Sequence, residues 1–436
     1  MSDSAHRTAQ RDGRWRGVAA VVVPGQPRIS APVAFRVVPT ASSATVTPPR
    51  PRTVRPVALA AVQAAVGAAP APSGKPVDPA SVLVSGVTLR SAEVLPGELF
   101  AALPGSTAHG ADFAATAIAA GCSAVLTDPV GATRPALSGV PVLVHPDPRA
   151  VLGTAAALIY GDPTARLSVL GVTGTSGKTT VAHLLEAGLG TAGRRTGLFG
   201  TVGTRIDGER LPSALTTPEA PDLQATFAVM AESGVTDVAM EVSSHALAMG
   251  RVTGTRFAVA AFTNLSQDHL DFHRDMDDYF ETKATLFDGR AAHAVVCVDD
   301  EWGRRLAARH PDAVTVSGSG EEATWRAERR HTDVAGGQSF VAVGPDGRAT
   351  PVRLALPGAF NIANALVALA CLDAVGVPAA VAAPGFAELA VPGRMQRVEA
   401  GQSWLAVVDY AHKPAAVAAL LDTLRAPVTG RIAIVL

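Results

Sequence analysis

The stretch Gly171-Val172-Thr173-Gly174-Thr175-Ser176-Gly177-Lys178-Thr179-Thr180 decides the fold. It follows an apolar run at 167–172 and precedes apolar residues spaced i, i+3, i+4, i+7 and i+8 from Val181. The first pattern predicts a buried strand, and the second predicts an amphipathic helix. Glycines between a strand and a helix let backbone N–H groups face a phosphate, and the helix N-terminus adds positive potential. The stretch therefore predicts a phosphate-binding loop.

Lys178 and Thr179 carry the chemistry of this loop. We expect Lys178 to be an exposed loop residue that reaches the β- and γ-phosphates of a nucleotide, and Thr179 to hold magnesium. The spacing departs from the usual phosphate-loop pattern, since only two residues separate Gly174 from Gly177. The alternative is a glycine-rich turn with a surface lysine. Lysine is scarce in this arginine-rich chain, occurring only at positions 75, 178, 283 and 413, which argues against that alternative.

Alternating apolar runs and helical patterns define the organisation of the chain. Runs at 167–172, 237–242, 257–262 and 294–298 predict a central α/β unit, 167–391, with a doubly wound parallel sheet. A smaller α/β unit, 59–166, is predicted from strands at 81–89, 124–127 and 140–144 and a helix at 112–120. Strands at 404–408 and 431–436 predict the start of a third, Rossmann-like α/β unit, 392–436, with the last strand buried on both faces.

Residues 1–58 differ from the rest of the chain. They hold nine arginines and eight prolines but only two acids. Apart from a short run at 18–23, they lack periodic apolar positions. This composition predicts a disordered extension that the protein does not need, or a start site assigned too far upstream. A targeting peptide is disfavoured because the apolar run is short and ends at Pro24.

The overall composition excludes several classes of protein. A net charge of −1 gives no field that favours nucleic acid or acidic lipid. Three cysteines far apart exclude a disulfide framework and a structural zinc site, and they favour a cytoplasmic location. No charge-free apolar run reaches the ~18 residues of a membrane helix.

A glutamate and a histidine follow two neighbouring predicted strands. Glu241 opens the sequence EVSSH at the end of one strand, and His269 lies in the segment after the next. The carboxyl ends of parallel strands line the ligand crevice in such sheets. Oxygen ligands such as Glu241 suit Mg²⁺, and His269 would complete the site. His269 and His273 have the spacing of a zinc pair, but the HExxH glutamate is absent, so magnesium is favoured.

The motifs together resemble one family. They are GTSGKTT at 174–180, TTP at 216–218, EVSSHAL at 241–247, TNLSQDHLDFH at 263–273, PGAFNIANAL at 357–366 and VVDYAHKPAAV at 407–417. From about residue 59 to 436 the chain resembles the Mur ligases, ATP-dependent amino-acid ligases of peptidoglycan precursor synthesis. EVSSHAL and residues 89–100 favour the members that add a diamino acid to UDP-N-acetylmuramoyl-L-alanyl-D-glutamate.

The resemblance implies a role for each matching residue. The ATP site would comprise Gly174, Thr175, Ser176, Gly177, Lys178, Thr179, Thr180, Asn361, Asn364, Asp409 and His412, with the asparagines on the adenine side. The uridine pocket would comprise Leu89, Ser91, Ser106, Thr107 and Ala108. Contacts to the sugar dipeptide would come from Thr216, Thr217, Ser243 and Arg251. The magnesium ligands would be Thr179, Glu241, His269 and Lys283, with Lys283 carried as a carbamate.

The family's chemistry suits these residue types. ATP phosphorylates the terminal carboxylate of D-Glu, and an amine attacks the acyl phosphate through a tetrahedral intermediate. Mg²⁺ and Lys178 would neutralise the repulsion between the two anions. A carbamate at Lys283 would reverse the sign of a charge that opposes Mg²⁺. Only a primary amine can take up CO₂, which explains a lysine at this position in an arginine-rich chain.

Two departures from the family bear on activity. Met249 stands where some relatives present a polar contact. Only 44 residues follow Pro392, fewer than in the family's third domain, and the element that grips the diamino acid is absent. We therefore expect a C-terminally truncated third domain, binding of both nucleotides and no completed ligation. The composition and the sequence HKP after Tyr410 favour diaminopimelate weakly over lysine, and a monomer is expected.

Two alternative functions remain. One is a ligase similar to folylpolyglutamate synthase, which has a comparable ATPase core but lacks the uridine-binding part that residues 89–100 indicate. The other is a non-catalytic nucleotide-binding protein without an acceptor site.

Overall fold

The computed structural model of this chain describes residues 18–23, 48–211, 213, 215–333, 336–398, 400–402, 404–411, 414–425 and 430–435. The first strand is β1 (Val18–Val23). Among the described residues, no helix is long and apolar enough to cross a membrane.

The first unit is a small α/β layer. Its five-stranded sheet has the order β3-β8-β7-β6-β5 and is parallel except for the β3–β8 pair. Strand β6 is buried at all five positions, as expected for the centre of a covered sheet. The elements are β2 (Val57–Ala58), α1 (Leu59–Val66), β3 (Ala69–Pro70), β4 (Leu83–Val84), β5 (Gly86–Thr88), β6 (Glu98–Ala102), α2 (Ala114–Ala119), β7 (Ala124–Thr127), β8 (Val142–Val144) and α3 (Pro148–Ile159).

The second unit is built on a larger sheet. Its elements are β9 (Ser168–Thr173), α4 (Lys178–Thr191), β10 (Thr196–Gly200), β11 (Gly203–Ile206), β12 (Glu209–Leu211), α5 (Ala220–Glu232), β13 (Asp237–Glu241), α6 (Ser244–Ala248), β14 (Phe257–Phe262), α7 (Met276–Ala284), β15 (Ala291–Cys297), α8 (Glu301–Arg309), β16 (Val314–Ser317), β17 (Trp325–Thr332), β18 (Gln338–Val343), β19 (Ala349–Leu354), α9 (Phe360–Ala374) and α10 (Ala379–Ala382). Short 3₁₀ helices lie at Ser91–Glu93, Gly110–Phe113, Gly131–Thr133, Pro135–Gly139, Pro163–Ala165, Thr285–Phe287 and Ala383–Phe386.

The topology of this sheet positions the phosphate loop. The strand order is β12-β11-β10-β13-β9-β14-β15-β16-β17-β18-β19, parallel from β10 to β17 and antiparallel at both edges. Strand β9 lies between β13 and β14, so the loop after it is flanked by the ends of both neighbours. One apolar cluster packs α4 and α9 on the sheet, and a second packs α5 and α7. The predicted doubly wound α/β class is confirmed.

The last sheet differs from the Rossmann-like expectation. It comprises β20 (Gln396–Val398), β21 (Ala406–Asp409) and β22 (Arg431–Val435), with α11 (Pro414–Arg425) between the last two. Strand β1 lies between β21 and β22 and is antiparallel to both. Strand β22 is therefore an edge strand whose residues are partly or largely exposed, and the prediction that it is buried on both faces is wrong.

The expectation of disorder through residue 58 is wrong in part. The β1 backbone is paired, and residues 48–58 dock on the first two units. Arg50 forms an ion pair with the buried Glu98, and the amides of Arg52 and Thr53 each donate to Glu232 at 2.9 Å. These contacts could not be predicted from the composition of residues 1–58, because each of them is made to a residue far along the chain. Residues 1–17 and 24–47 lie outside the described residues.

Candidate active site

The phosphate loop connects β9 to α4 through residues 174–177. Gly174 and Gly177 have φ values of +144° and +88°, which L side chains rarely adopt. A Cβ on Gly174 would lie 2.0 Å from the Thr263 hydroxyl, and one on Gly177 would lie 2.4 Å from the Asn364 amide oxygen. The loop therefore needs glycine at both positions because of its conformation and its close packing.

Two lysine amines meet at one carbonyl of this loop. The Lys178 Nζ donates to the carbonyls of Gly174 and Thr175, both at 2.9 Å, and the Lys283 Nζ donates to the Gly174 carbonyl at 2.9 Å. Lys178 is partly buried rather than exposed, which corrects the prediction from the sequence. The pKa of Lys178 is lowered to about 8, chiefly by burial; Glu241 opposes this decrease and Arg394 adds to it. The pKa of Lys283, which is 1% exposed, falls well below its usual range because of burial and then Lys178.

Glu241 is buried at the end of β13, beside the first turn of α4. Its carboxylate accepts the Thr179 hydroxyl at 3.0 Å, the Thr201 amide at 2.7 Å and the Thr201 hydroxyl at 3.2 Å. Gly200 leaves room for it, since a Cβ there would lie 2.4 Å from the carboxylate. The structure thus brings together the two predicted oxygen ligands Thr179 and Glu241, a donor set that suits Mg²⁺.

Arg394 reaches this site from the third unit and was missed in the sequence. Its Nη2 donates to the Thr179 hydroxyl at 3.1 Å, and its guanidinium lies 4.8 Å from the centre of the Tyr410 ring. Asp409 accepts the amide of the neighbouring Met395 at 2.7 Å and that of Ala411 at 2.8 Å. Asp409 therefore holds the backbone next to Arg394. The sequence did contain a signal for a residue at this site: Arg394 directly follows Pro392–Gly393, which marks the boundary between the second and third units.

Tyr279 of α7 links the remaining predicted residues. Its hydroxyl lies 3.3 Å from the Thr175 hydroxyl, its ring centre is 4.5 Å from the Lys283 Nζ, and the His269 ring packs edge-on at 6.2 Å. His269 has φ +52° and packs 4.9 Å from the His245 ring. His269 and Lys283 thus lie around Tyr279, whereas Thr179 and Glu241 contact each other. Among the described residues no three His, Cys, Asp or Glu side chains are grouped to hold a metal ion.

The four residues predicted to contact a sugar dipeptide lie close to Glu241. The Thr216 hydroxyl lies 3.1 Å from that of Thr201, and the Thr217 hydroxyl donates to the Glu241 carbonyl at 2.9 Å. The Thr217 hydroxyl also accepts the Ser243 amide at 3.3 Å. Ser243 caps α6. Arg251 joins the group through a 3.4 Å contact from its Nη1 to the Thr217 carbonyl.

The predicted uridine pocket belongs to the first unit. Leu89 packs against that unit's core, Ser91 opens a 3₁₀ helix, and Ser106, Thr107 and Ala108 lie in an exposed loop. Arg90, between Leu89 and Ser91, donates to both carboxylate oxygens of Asp222 at 3.0 and 2.7 Å. This bidentate pair connects the pocket segment to α5 of the central unit.

The two asparagines lie at the start of α9, against the loop. The Asn361 amide donates to the Pro357 carbonyl at 2.7 Å, and that of Asn364 to the Asn361 side chain at 2.9 Å. Asn364 thereby faces Gly177. His412 lies outside the described residues.

Three family models match the chain. They are the Mur ligase family catalytic domain at residues 83–160, the Mur ligase middle domain at 172–372 and the Mur ligase glutamate ligase domain at 393–436. The third match begins just after the predicted boundary at Pro392. The predicted truncation receives no support from these matches and stays a prediction.

Curated relatives and a solved structure agree with the family models. A UDP-N-acetylmuramoyl-L-alanyl-D-glutamate--2,6-diaminopimelate ligase of Corynebacterium glutamicum is 56% identical over 78% of this chain and 66% of its own length. The ligase of that name from Streptomyces avermitilis is 52% identical over 81% of this chain and 70% of its own. This chain thus spans about two thirds of the length of such relatives. A solved structure of a ligase of that name aligns with TM-score 0.70 and 28% identity over 85% of this chain and 74% of the other. The chain belongs to the Mur ligase family.

Proposed function

We propose that this chain acts as an ATP-dependent ligase that adds 2,6-diaminopimelate to UDP-N-acetylmuramoyl-L-alanyl-D-glutamate. The observation that carries the proposal is the convergence of Lys178, Thr179, Glu241 and Thr217 where β9 and β13 end. In this arrangement the phosphate loop and the predicted dipeptide contacts share Glu241 as a neighbour. The identity to relatives of that name supports the same reaction.

The residues divide the work between the two anionic substrates. The loop amides and the N-terminus of α4 would bind the β- and γ-phosphates of ATP, and Lys178 would move from the loop carbonyls to the transferring phosphoryl group. Arg394 donates to the Thr179 hydroxyl and would therefore lie close to the same phosphoryl group. Thr216, Thr217, Ser243 and Arg251 would hold the dipeptide so that its terminal carboxylate meets the γ-phosphate. An amine then attacks the acyl phosphate and phosphate leaves.

A magnesium ion fits the oxygen donors beside the loop. Thr179 and Glu241 would hold it, and it would neutralise charge on the ATP phosphates. Lys283 as a carbamate and His269 would complete its surroundings. Support for the carbamate comes from the burial of Lys283 and its lowered pKa, because only a neutral amine adds CO₂.

The division into a uridine-binding unit at 59–166, an ATP-binding unit at 167–391 and a third unit from 392 is part of the proposal. The separate five-stranded, eleven-stranded and four-stranded sheets and the three family matches support it. The folylpolyglutamate-synthase alternative has weaker support. A Mycobacterium tuberculosis synthase structure aligns with TM-score 0.53 at 22% identity, a likeness of fold alone.

The test is product formation by the chain. It is incubated with ATP, Mg²⁺, the UDP-dipeptide and either diaminopimelate or lysine, and the tripeptide product is detected by mass together with released phosphate. We expect Lys178→Ala to lower phosphate release more than a hundredfold, the ~3 kcal/mol of a lost transition-state charge contact. Lys75→Ala, an exposed lysine of the first unit, is the matched control and should not change the rate.

The outcomes separate the candidate functions. Tripeptide with diaminopimelate supports the proposal. Phosphate release without product would show that the chain hydrolyses ATP without completing ligation, and it would contradict the proposal. Tight nucleotide binding without either reaction would favour the non-catalytic alternative, and glutamylation of a folate in place of the UDP-dipeptide would contradict the proposal.

A further inference from the structure

Glu219 lies between two arginines from different units. Its Oε1 accepts the Nε of Arg251 at 2.8 Å, and its Oε2 accepts the Nη1 of Arg149 at 3.2 Å. Arg149 is in the first turn of α3, in the first unit, and Glu219 directly precedes α5 of the central unit. One carboxylate therefore connects the first unit to the arginine predicted to contact the dipeptide.

The pairing orients the Arg251 guanidinium. Glu219 holds the Nε, whereas Nη1 and Nη2 make longer contacts of 3.4 Å to the Thr217 carbonyl and the Met249 sulfur. The two Nη groups form the edge on which a guanidinium takes a carboxylate with two parallel hydrogen bonds. Since that edge lies on the Thr217 side, Glu219 directs it toward the proposed dipeptide site.

The backbone around this cluster is closely packed. A Cβ on Gly153 of α3 would lie 2.0 Å from the Thr253 carbonyl, and one on Gly254 would lie 2.5 Å from the Gly153 carbonyl. The loop after Arg251 and the helix that carries Arg149 are thus in direct contact. This contact fixes the separation of the two arginines, so the carboxylate of Glu219 can bridge both.

We propose that Glu219 is a positioning residue for the carboxylate-bearing dipeptide of the UDP substrate. It holds the Nη edge of Arg251 toward the dipeptide and, through Arg149, couples that orientation to the placement of the uridine-binding unit. The inference rests on the proposed function, since it takes Arg251 as a dipeptide contact.

Charge and positioning predict opposite effects of removing the carboxylate. If Glu219 acted only as a nearby negative charge, Glu219→Gln would strengthen the binding of an anionic substrate because two arginines would lose their counter-ion. If it positions Arg251, the same change weakens binding despite the more positive field. The sign of the change in affinity therefore distinguishes the two roles.

The experiment measures binding of UDP-N-acetylmuramoyl-L-alanyl-D-glutamate and of the same nucleotide sugar without the D-glutamate. We expect Glu219→Gln to weaken the first at least tenfold and the second by less than twofold, with ATP affinity unchanged. Glu232→Gln is the matched control, because Glu232 is the last residue of α5, the helix that Glu219 precedes, and it accepts the amides of Arg52 and Thr53 at the end of α5 far from Arg251. It should change neither affinity.

A second variant keeps the test decisive. Arg149→Gln removes only the first-unit partner and should weaken dipeptide binding about threefold, also selectively. Unchanged or tighter dipeptide binding by Glu219→Gln, alongside weaker binding by Arg251→Lys, would overturn the inference and leave the proposed function standing. Unchanged binding by Arg251→Lys would remove Arg251 from the proposed site and overturn the inference with it. Equal loss for both ligands would show a general structural role and would also overturn it.

Discussion

At the scale of single residues, the main feature of the site is that two lysine amines donate to the same Gly174 carbonyl, which limits how both can be charged. Two ammonium groups that share one acceptor repel each other, and Lys283 has little access to water. Lys178 is partly buried and close to Glu241, whereas Lys283 lies deeper, over the Tyr279 ring. Lys283 is therefore the amine that loses its proton more readily, and a neutral amine is the form that reacts with CO₂.

This difference predicts that Lys283→Ala is inactive and is rescued by small carboxylic acids. Acetate or formate would supply the oxygen ligands of the missing carbamate, so activity should rise at least tenfold over the unrescued variant. Lys178→Ala is the control. This variant has lost a cation, and an added carboxylate cannot take the place of a cation. The measurement is the rate of phosphate release at increasing concentrations of acetate or formate, at constant pH. Full activity of Lys283→Ala without added acid, or equal rescue of both variants, would contradict it.

At the scale of elements, helix α4 contains a histidine that should make folding sensitive to acid. The His183 Nδ1 donates to the Thr179 carbonyl at 2.8 Å, and within the described part of the chain its buried Nε2 has no hydrogen-bond partner. Burial, followed by the nearby Arg205, lowers the pKa of His183 from 6.5 to about 4. The unfolded chain therefore binds a proton between these pH values that the folded chain does not.

Stability should consequently fall as the pH drops from near neutral toward about 4. Between neutral pH and about pH 5 this one residue should cost about 2 kcal/mol. In His183→Gln, which keeps a donor for Thr179 but cannot be protonated, the acid-induced loss should be smaller by that amount. Urea unfolding of both proteins at the two pH values measures it. The same acid-induced loss in both proteins would show that His183 does not contribute.

Elements with local signals were predicted well from the sequence. The strand at 257–262 and the strand at 124–127 have the predicted bounds, and the helix after the loop begins at Lys178. The run at 81–89 instead forms two short strands separated by Ser85, and the predicted helix at 112–120 begins as a 3₁₀ turn. Strands β17 and β19 were not predicted because long stretches of them are exposed and lack a continuous apolar run.

The part of the site that could be predicted consists of residues whose sequence motif also determines where they lie in the fold. The loop and Glu241 lie together because the parallel strands β9 and β13 end at one edge, and Thr217 joins them through its hydrogen bond to the Glu241 carbonyl. Tyr279, Thr201 and Arg394 were missed, since each reaches the site from another element and their type alone indicates no role. The identity of their partners depends on tertiary packing, which local patterns do not contain.

At the scale of the whole molecule, ion pairs between distant segments hold the units together. The ion pairs of Arg90 with Asp222 and of Arg149 with Glu219 join the first unit to the start of α5. A hydrogen bond from Arg394 to the Thr179 hydroxyl joins the third unit to the first turn of α4. Residues 48–58 add a further connection, because they contact Glu98 in the first unit and Glu232 at the end of α5. A segment that its composition marked as dispensable is thus part of the packed molecule.

This arrangement predicts that Arg50→Ala destabilises the protein. Burial raises the pKa of Glu98, while the Leu95 amide and Arg50 oppose the increase. Among the residues that the structure describes, Arg50→Ala would leave this buried carboxylate with the Leu95 amide, at 2.9 Å, as its one remaining donor. Removing one partner of a buried pair costs about 3 kcal/mol, and the cost should shrink as the pH is lowered, because protonation of Glu98 removes the unpaired buried charge. Arg52→Ala is the control, since the contact of Arg52 to Glu232 uses its backbone amide and its side chain is exposed. Urea unfolding near neutral pH and at about pH 5 gives both quantities. Equal stability of the two variants, or a cost of Arg50→Ala that does not fall with pH, would show that the ion pair with Glu98 does not hold this segment in place.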